Sequence, residues 1–188
     1  MLKSEFNLHC DDALNVDQLM WIDLLDAMLS LESFDLKKGD LQYVFSNAIA
    51  KMISSNRCYW ITKDVEIHLE KEGYGLNDDI PTKKLFYGNR SGRNTTFEHV
   101  VPVGVISKYL WKNRKIGQSK ANIEKCIRGC GGVTIMSKED DNKLEKAGLS
   151  RKMPESWVDF DDDPFIRYQV AGLERPQNRI RSVGPICR

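Results

Sequence analysis

Arg93-Asn94-Thr95-Thr96-Phe97-Glu98-His99-Val100-Val101-Pro102 is the stretch on which the reading of the fold turns. Val100 and Val101 are β-branched and favour an extended backbone. Pro102 has no N–H, so ladder pairing ends there. Neighbours along a strand point to opposite faces, so Glu98 and His99 leave the chain on two sides. A carboxylate beside a histidine offers a hard oxygen ligand for a metal ion and a base for a water molecule.

Working outward, Val105 to Asn113 and Ser119 to Arg128 carry apolar residues at helical spacing, and Gly129, Gly131 and Gly132 interrupt the second of them. Val133-Thr134-Ile135-Met136 is a short strand of buried type. Ser137 is a good N-cap with Asp140 three positions on, close to a capping box. The helix expected from Lys138 to Ala147 stops at Gly148, a natural C-terminal cap.

Strand with Glu98-His99, long connection, second strand, then helix: this order resembles the ββα-metal fold of the HNH nuclease superfamily, over Thr95 to Gly148. The match lies in Phe97-Glu98-His99-Val100-Val101-Pro102 and in Val133 to Leu144. The resemblance implies that Glu98 is a metal ligand, that His99 is the general base, and that the helix supplies a second ligand. The family's terminal histidine is absent here, so that ligand is Asn142 or Asp141. Oxygen donors suit Mg²⁺, with Mn²⁺ as the alternative, better than zinc. The implied chemistry is hydrolysis of a phosphodiester, in DNA rather than RNA. His99 would take the proton of a water, and the ion would offset charge on the phosphate and the leaving oxygen. A restriction or defence nuclease and a toxin-type nuclease domain both fit, and many such enzymes are dimers. The rival reading is a non-catalytic nucleic-acid- or protein-binding module in which Glu98-His99 is structural. A zinc metallopeptidase would need a second histidine at helical spacing from His99, and neither His9 nor His68 provides it.

Charge supports a polyanionic partner. The net charge is only +1. Residues 1–50, however, carry nine acidic and three basic side chains, a net of −6, and residues 51–188 carry 18 acidic and 25 basic, a net of +7. Arg90 and Arg93, in the glycine-containing loop before the Glu98 strand, and Lys143 are candidate phosphate contacts. So are Arg175, Arg179 and Arg181, in a stretch with no acid after Glu174 that reads as an extended basic tail.

The remaining segments fill in an α+β chain. Asn15 or Asp17 caps a helix running to about Leu31, and a second spans about Lys38 to Ser54, giving an acidic helical pair. Cys58 to Thr62 reads as a strand. Lys63 to Glu72 reads as a short helix or, from the alternation of Val65, Ile67 and Leu69, as a strand. Only the strand would place Glu66, His68 and Glu70 on one face. The run Asp159 to Asp163 reads as a solvated loop, and Phe165 to Gly172 as a final helix. The expected organisation is an acidic helical region over residues 1–56, a ββα-metal core with inserted helices over 57–174, and the basic tail over 175–188.

Composition bounds the rest. With 41% hydrophobic and 29% charged residues the chain is not of the disordered class. No run of 18 apolar residues exists, so no membrane span is expected, and a cytoplasmic location follows. Five scattered cysteines (Cys10, Cys58, Cys126, Cys130 and Cys187) read as reduced thiols rather than a disulfide framework. Cys126 and Cys130 form the one close pair, so a structural zinc is disfavoured.

Overall fold

The computed structural model describes residues 13–31, 39–86, 94–114, 119–130 and 132–184. Arg90 and Arg93 lie outside the described residues. The elements are α1 (Val16–Ser30), α2 (Gly39–Ser54), β1 (Cys58–Ile61), α3 (Lys63–Lys71), β2 (Asp79–Pro81), a 3-10 turn (Thr82–Leu85), β3 (Thr95–His99), α4 (Val103–Lys112), α5 (Ser119–Gly129), β4 (Val133–Ser137), α6 (Lys138–Lys146), α7 (Ile166–Val170) and β5 (Asn178–Val183). Helices and a single mixed sheet make this an α+β fold.

The sheet order is β2-β5-β1-β4-β3. β3 and β4 are antiparallel, with Glu98 opposite Thr134 and His99 opposite Val133. α6 follows β4 directly and packs on both strands. The strand–strand–helix order expected from the sequence is therefore present, and the long connection holds both candidate helices, α4 and α5. It is embedded in a larger sheet: β4 pairs parallel with β1, β1 antiparallel with β5, and β5 parallel with β2.

The two faces of the sheet carry different layers. Tyr59, Ile61, Val133, Ile135 and Ile180 point to one side, where they join buried residues of α1, α2, α3, α4 and α5 in the main core. The N-terminal helical pair thus shares its core with the inserted helices. Trp60 and Met136 point to the other side and pack with Leu144 of α6, Leu149, Phe165 and Tyr168.

Local chemistry explains the element ends. Asn15 caps α1 by accepting from the Gln18 N–H at 2.8 Å, and Gln18 Oε1 accepts in turn from the Asn15 N–H at 3.1 Å. Ser137 Oγ accepts from the Asp140 N–H at 3.2 Å at the start of α6. Gly148 follows α6 with φ +69°, a left-handed conformation that suits glycine. β3 ends one residue before Val100, and α4 begins immediately after Pro102.

Two expectations are corrected and one alternative is decided. Lys63–Lys71 is a helix, because Val65 and Leu69, one turn apart, are the buried pair while Ile67 is 38% exposed. Glu66, His68 and Glu70 therefore do not line one face. The basic stretch after Glu174 is not a free arm, since Asn178–Val183 is an internal strand paired on both sides. The thiols are not all reduced: Cys126 and Cys130 are free and buried, whereas Cys58 is disulfide-bonded.

Candidate functional site

Glu98 and His99 sit near the end of the edge strand β3, on opposite faces of the sheet as their adjacency requires. Register carries Glu98 across the sheet in a row, Glu98–Thr134–Trp60–Arg179, on the side covered by α6 and α7. The row through His99 runs His99–Val133–Tyr59–Ile180 on the side of the main core. One centre using both side chains is not assembled by this geometry.

Glu98 meets a partner that the sequence did not suggest. Arg167 of α7 is fully buried and donates from Nη2 to Glu98 Oε1 at 2.5 Å. Its other bonds go to backbone carbonyls: Nε donates to Val100 at 2.8 Å, Nη1 to Leu149 at 2.8 Å, and Nη2 also to His99. The guanidinium thus fastens the end of β3 to the loop after α6. Burial raises the Glu98 pKa, Arg167 pulls it back down, and the nearby charge of Asp141 raises it again. Asp141 is close enough for its carboxylate to act on Glu98, which makes it the better-placed of the two ligand candidates. Asn142, the next residue along α6, is exposed. Tyr168 lies beside this group, fully buried, and burial pushes its pKa up to about 12.

His99 is enclosed. Its Nε2 is sealed from solvent with no hydrogen-bond partner, and a hydrogen bond to the Ala50 backbone in α2 supports the ring. Burial, reinforced by the Arg167 charge, depresses its pKa to about 4. The imidazole is therefore neutral at pH 7, as a base must be, while its Nε2 is buried in the static structure.

The remaining candidates are dispersed. Lys143 bonds Asp140 Oδ1 at 3.0 Å and lies 3.7 Å from Glu139, on the α6 side of the sheet. Arg175 pairs with Asp163 at 3.2 Å and stands 4.9 Å from the Phe165 ring centre. Arg179 covers Trp60 at 5.2 Å and lines a separate cleft of about 340 Å³ with Arg128. Arg181 is paired in β5 opposite Cys58. No family model, curated protein or solved structure matches the chain. Among the described residues no group of three or more His, Cys, Asp or Glu side chains is placed to hold a metal ion, and no helix is long and apolar enough to cross a membrane.

Beside the Glu98 group lies a polar cleft of about 440 Å³. It opens at the carboxyl ends of the parallel strands β1 and β4, where α3 and α6 begin, the usual location of ligand sites in sheets with parallel strands. Asp140 and Tyr168 form part of its wall and so connect it to Asp141 and Arg167, their chain neighbours. This cleft and Arg167 were both beyond sequence reasoning. Arg167 lies 69 residues from Glu98, and nothing in Asp163-Pro164-Phe165-Ile166-Arg167-Tyr168 names its partner.

Proposed function

We propose that the chain is a metal-dependent endonuclease acting on DNA, with its working centre on the α6–α7 side of the sheet at Glu98 and Asp141. The observation that carries this reading is that α6, following the β3–β4 pair, packs on both strands so that the Asp141 charge acts on Glu98. Burial is the main reason that the Glu98 pKa is raised, and the Asp141 charge adds to it. Hard oxygen donors in that state fit Mg²⁺ or Mn²⁺. The ion, when bound, supplies positive charge for the phosphate and the leaving oxygen. Arg167 occupies Glu98 Oε1 and fixes the carboxylate's orientation, and Lys143 adds positive charge on the same helix. The basic excess of residues 51–188 supports a nucleic-acid substrate. In this arrangement His99 braces β3 against α2 rather than serving as the base. A restriction or defence role remains the proposed setting.

A specific observation favours the second reading, a non-catalytic binding module: Arg167 already pairs Glu98 without any ion, and its other three bonds go to backbone carbonyls. Supercoiled plasmid separates the two. Under the first reading the full chain nicks or cuts it with Mg²⁺ or Mn²⁺ and not with EDTA, and Asp141→Asn abolishes cutting while the circular dichroism spectrum is kept. Plasmid left intact with both ions, by protein that still retards DNA in a gel, would establish the binding module instead. His99→Gln provides a further check. Loss of cutting in a folded variant would return the role of base to His99.

A further inference from the structure

We infer that the cleft where α1 begins and α2 and α5 end binds a phosphodiester of a nucleic-acid strand through Arg128, Arg179 and the Gln18 amide. The inference rests on the reading of the chain as one that acts on nucleic acid, and it adds a backbone contact away from Glu98 and Asp141.

Gln18 is the residue that points to a ligand. It is only 4% exposed, and it forms part of the wall of this cleft of about 340 Å³. Its Oε1 accepts from the Asn15 N–H at 3.1 Å, which fixes the amide and leaves Nε2 as a donor turned the other way. Nε2 has no hydrogen-bond partner among the described residues, yet it is not one of the polar atoms sealed from solvent. A donor on so buried a residue calls for an acceptor at the one place where it meets solvent. Asn56, in the turn after α2, repeats the arrangement in the same wall. Its Oδ1 accepts from the Cys58 N–H at 3.1 Å, and its Nδ2 is left as a donor.

The charge of the wall selects an anion. Arg128 and Arg179 stand in it, and no carboxylate is among its described residues. The carboxyl ends of α2 and α5 approach the same space, but each carries only about half a negative charge, and the amino end of α1 offsets one of them. Arg128 lies in the last turn of α5, where a cation is favoured. Trp60 steadies Arg179, whose guanidinium stands 5.2 Å from the ring centre. Guanidinium groups and amide donors around one space match the oxygens of a phosphate. Arg179 also ends the row that begins at Glu98, three strands away in the sheet. That separation is about 14 Å, which a strand of duplex covers in about four nucleotides. The cleft is therefore within reach of a strand held at Glu98 and Asp141.

The test uses the full chain in buffer containing EDTA, so that no cutting is involved. The side-chain amide resonances of Gln18 and Asn56 are followed by NMR during titration with octathymidylate, with thymidine and with inorganic phosphate. Octathymidylate is expected to shift them saturably, and the other two to bind about tenfold more weakly, because neither carries a chain of phosphates. Gln18→Glu keeps the oxygen that accepts from Asn15 and replaces the donor with a carboxylate. It is expected to weaken strand binding about tenfold with an unchanged circular dichroism spectrum. Arg128→Gln, at an exposed position, is expected to weaken binding and to lower the slope of log affinity against log salt by about 0.7. Wild-type affinity in either variant, equal shifts with thymidine, or inorganic phosphate bound as tightly as the strand overturns the inference. Should Gln18→Glu lose its fold, Arg128→Gln decides by the same criterion. Strand binding at these amides without plasmid cutting removes the nuclease reading alone, whereas plasmid cutting with unshifted amides removes the cleft alone.

Discussion

Replacing His99 with glutamine should flatten the acid side of the protein's stability profile. His99 has an ordinary pKa of 6.5 in the unfolded chain and about 4 in the fold, because burial and the Arg167 charge oppose protonation. A base whose folded pKa is depressed contributes stability at neutral pH, and that contribution is lost as pH falls from 6.5 towards 4, since the unfolded state then binds the proton more readily. The gap between 6.5 and about 4 corresponds to about 3 kcal/mol. Glutamine keeps an amide able to reach the Ala50 backbone and cannot titrate. Urea unfolding followed by tryptophan fluorescence at pH 7, 5.5 and 4.5 would measure the effect. The wild type should lose about 2.4 kcal/mol more than His99→Gln over that range, since the last part of the gap falls below pH 4.5. Glu98 does not blur the comparison, because its raised pKa is common to both proteins and its penalty falls on the high-pH side. Parallel stability profiles for the two proteins would refute the depressed pKa of His99 and the burial of its Nε2.

Other consequences can be checked with single substitutions. Arg167→Met should cost about 3–5 kcal/mol in urea unfolding, because it leaves Glu98 buried without its cation and frees three backbone carbonyls. The double variant with Glu98→Gln should recover part of that loss. Gly129→Ala should lower stability by about 1–3 kcal/mol, because an added Cβ would lie 2.5 Å from the Phe160 carbonyl oxygen and one of the two segments must move. Native Cys126 and Cys130 should resist alkylation at pH 8 until the chain is unfolded, since burial raises both thiols, Cys130 to about 11; fast labelling of the folded protein would contradict their burial.

Much of the scaffold was legible because its signals are local. Asn15 and Ser137 cap helices, Gly148 and Gly172 end them with positive φ, and Pro102 marks the passage from β3 to α4. The pairing of the Glu98 strand with Val133–Ser137 also followed from the order of elements. What escaped depended on contacts distant in sequence. In Asn178-Arg179-Ile180-Arg181-Ser182-Val183 the arginines drew attention to charge and hid a period of two, in which Ile180 and Ser182 are buried against the core. In α3 the alternation of Val65, Ile67 and Leu69 suggested a strand, and tertiary burial of two of the three decided for a helix. Glu98 and His99 were read as one unit because they are adjacent. Adjacency on a strand separates them, and the partner of Glu98 came from Arg167.

The position of β5 sets the order in which the sheet can be completed. β2 joins the sheet only through β5, and β1 gains its second neighbour only from the same strand. A chain emerging from its amino end therefore carries β1, β4 and β3 for some time before residues 178–183 arrive. During that interval β1 has an open edge and β2 has no strand to pair with. Closure then requires a contact across more than a hundred residues, between Cys58 and Arg181. Long-range pairing of this kind is slow, and it leaves unpaired edges exposed to other chains while it waits.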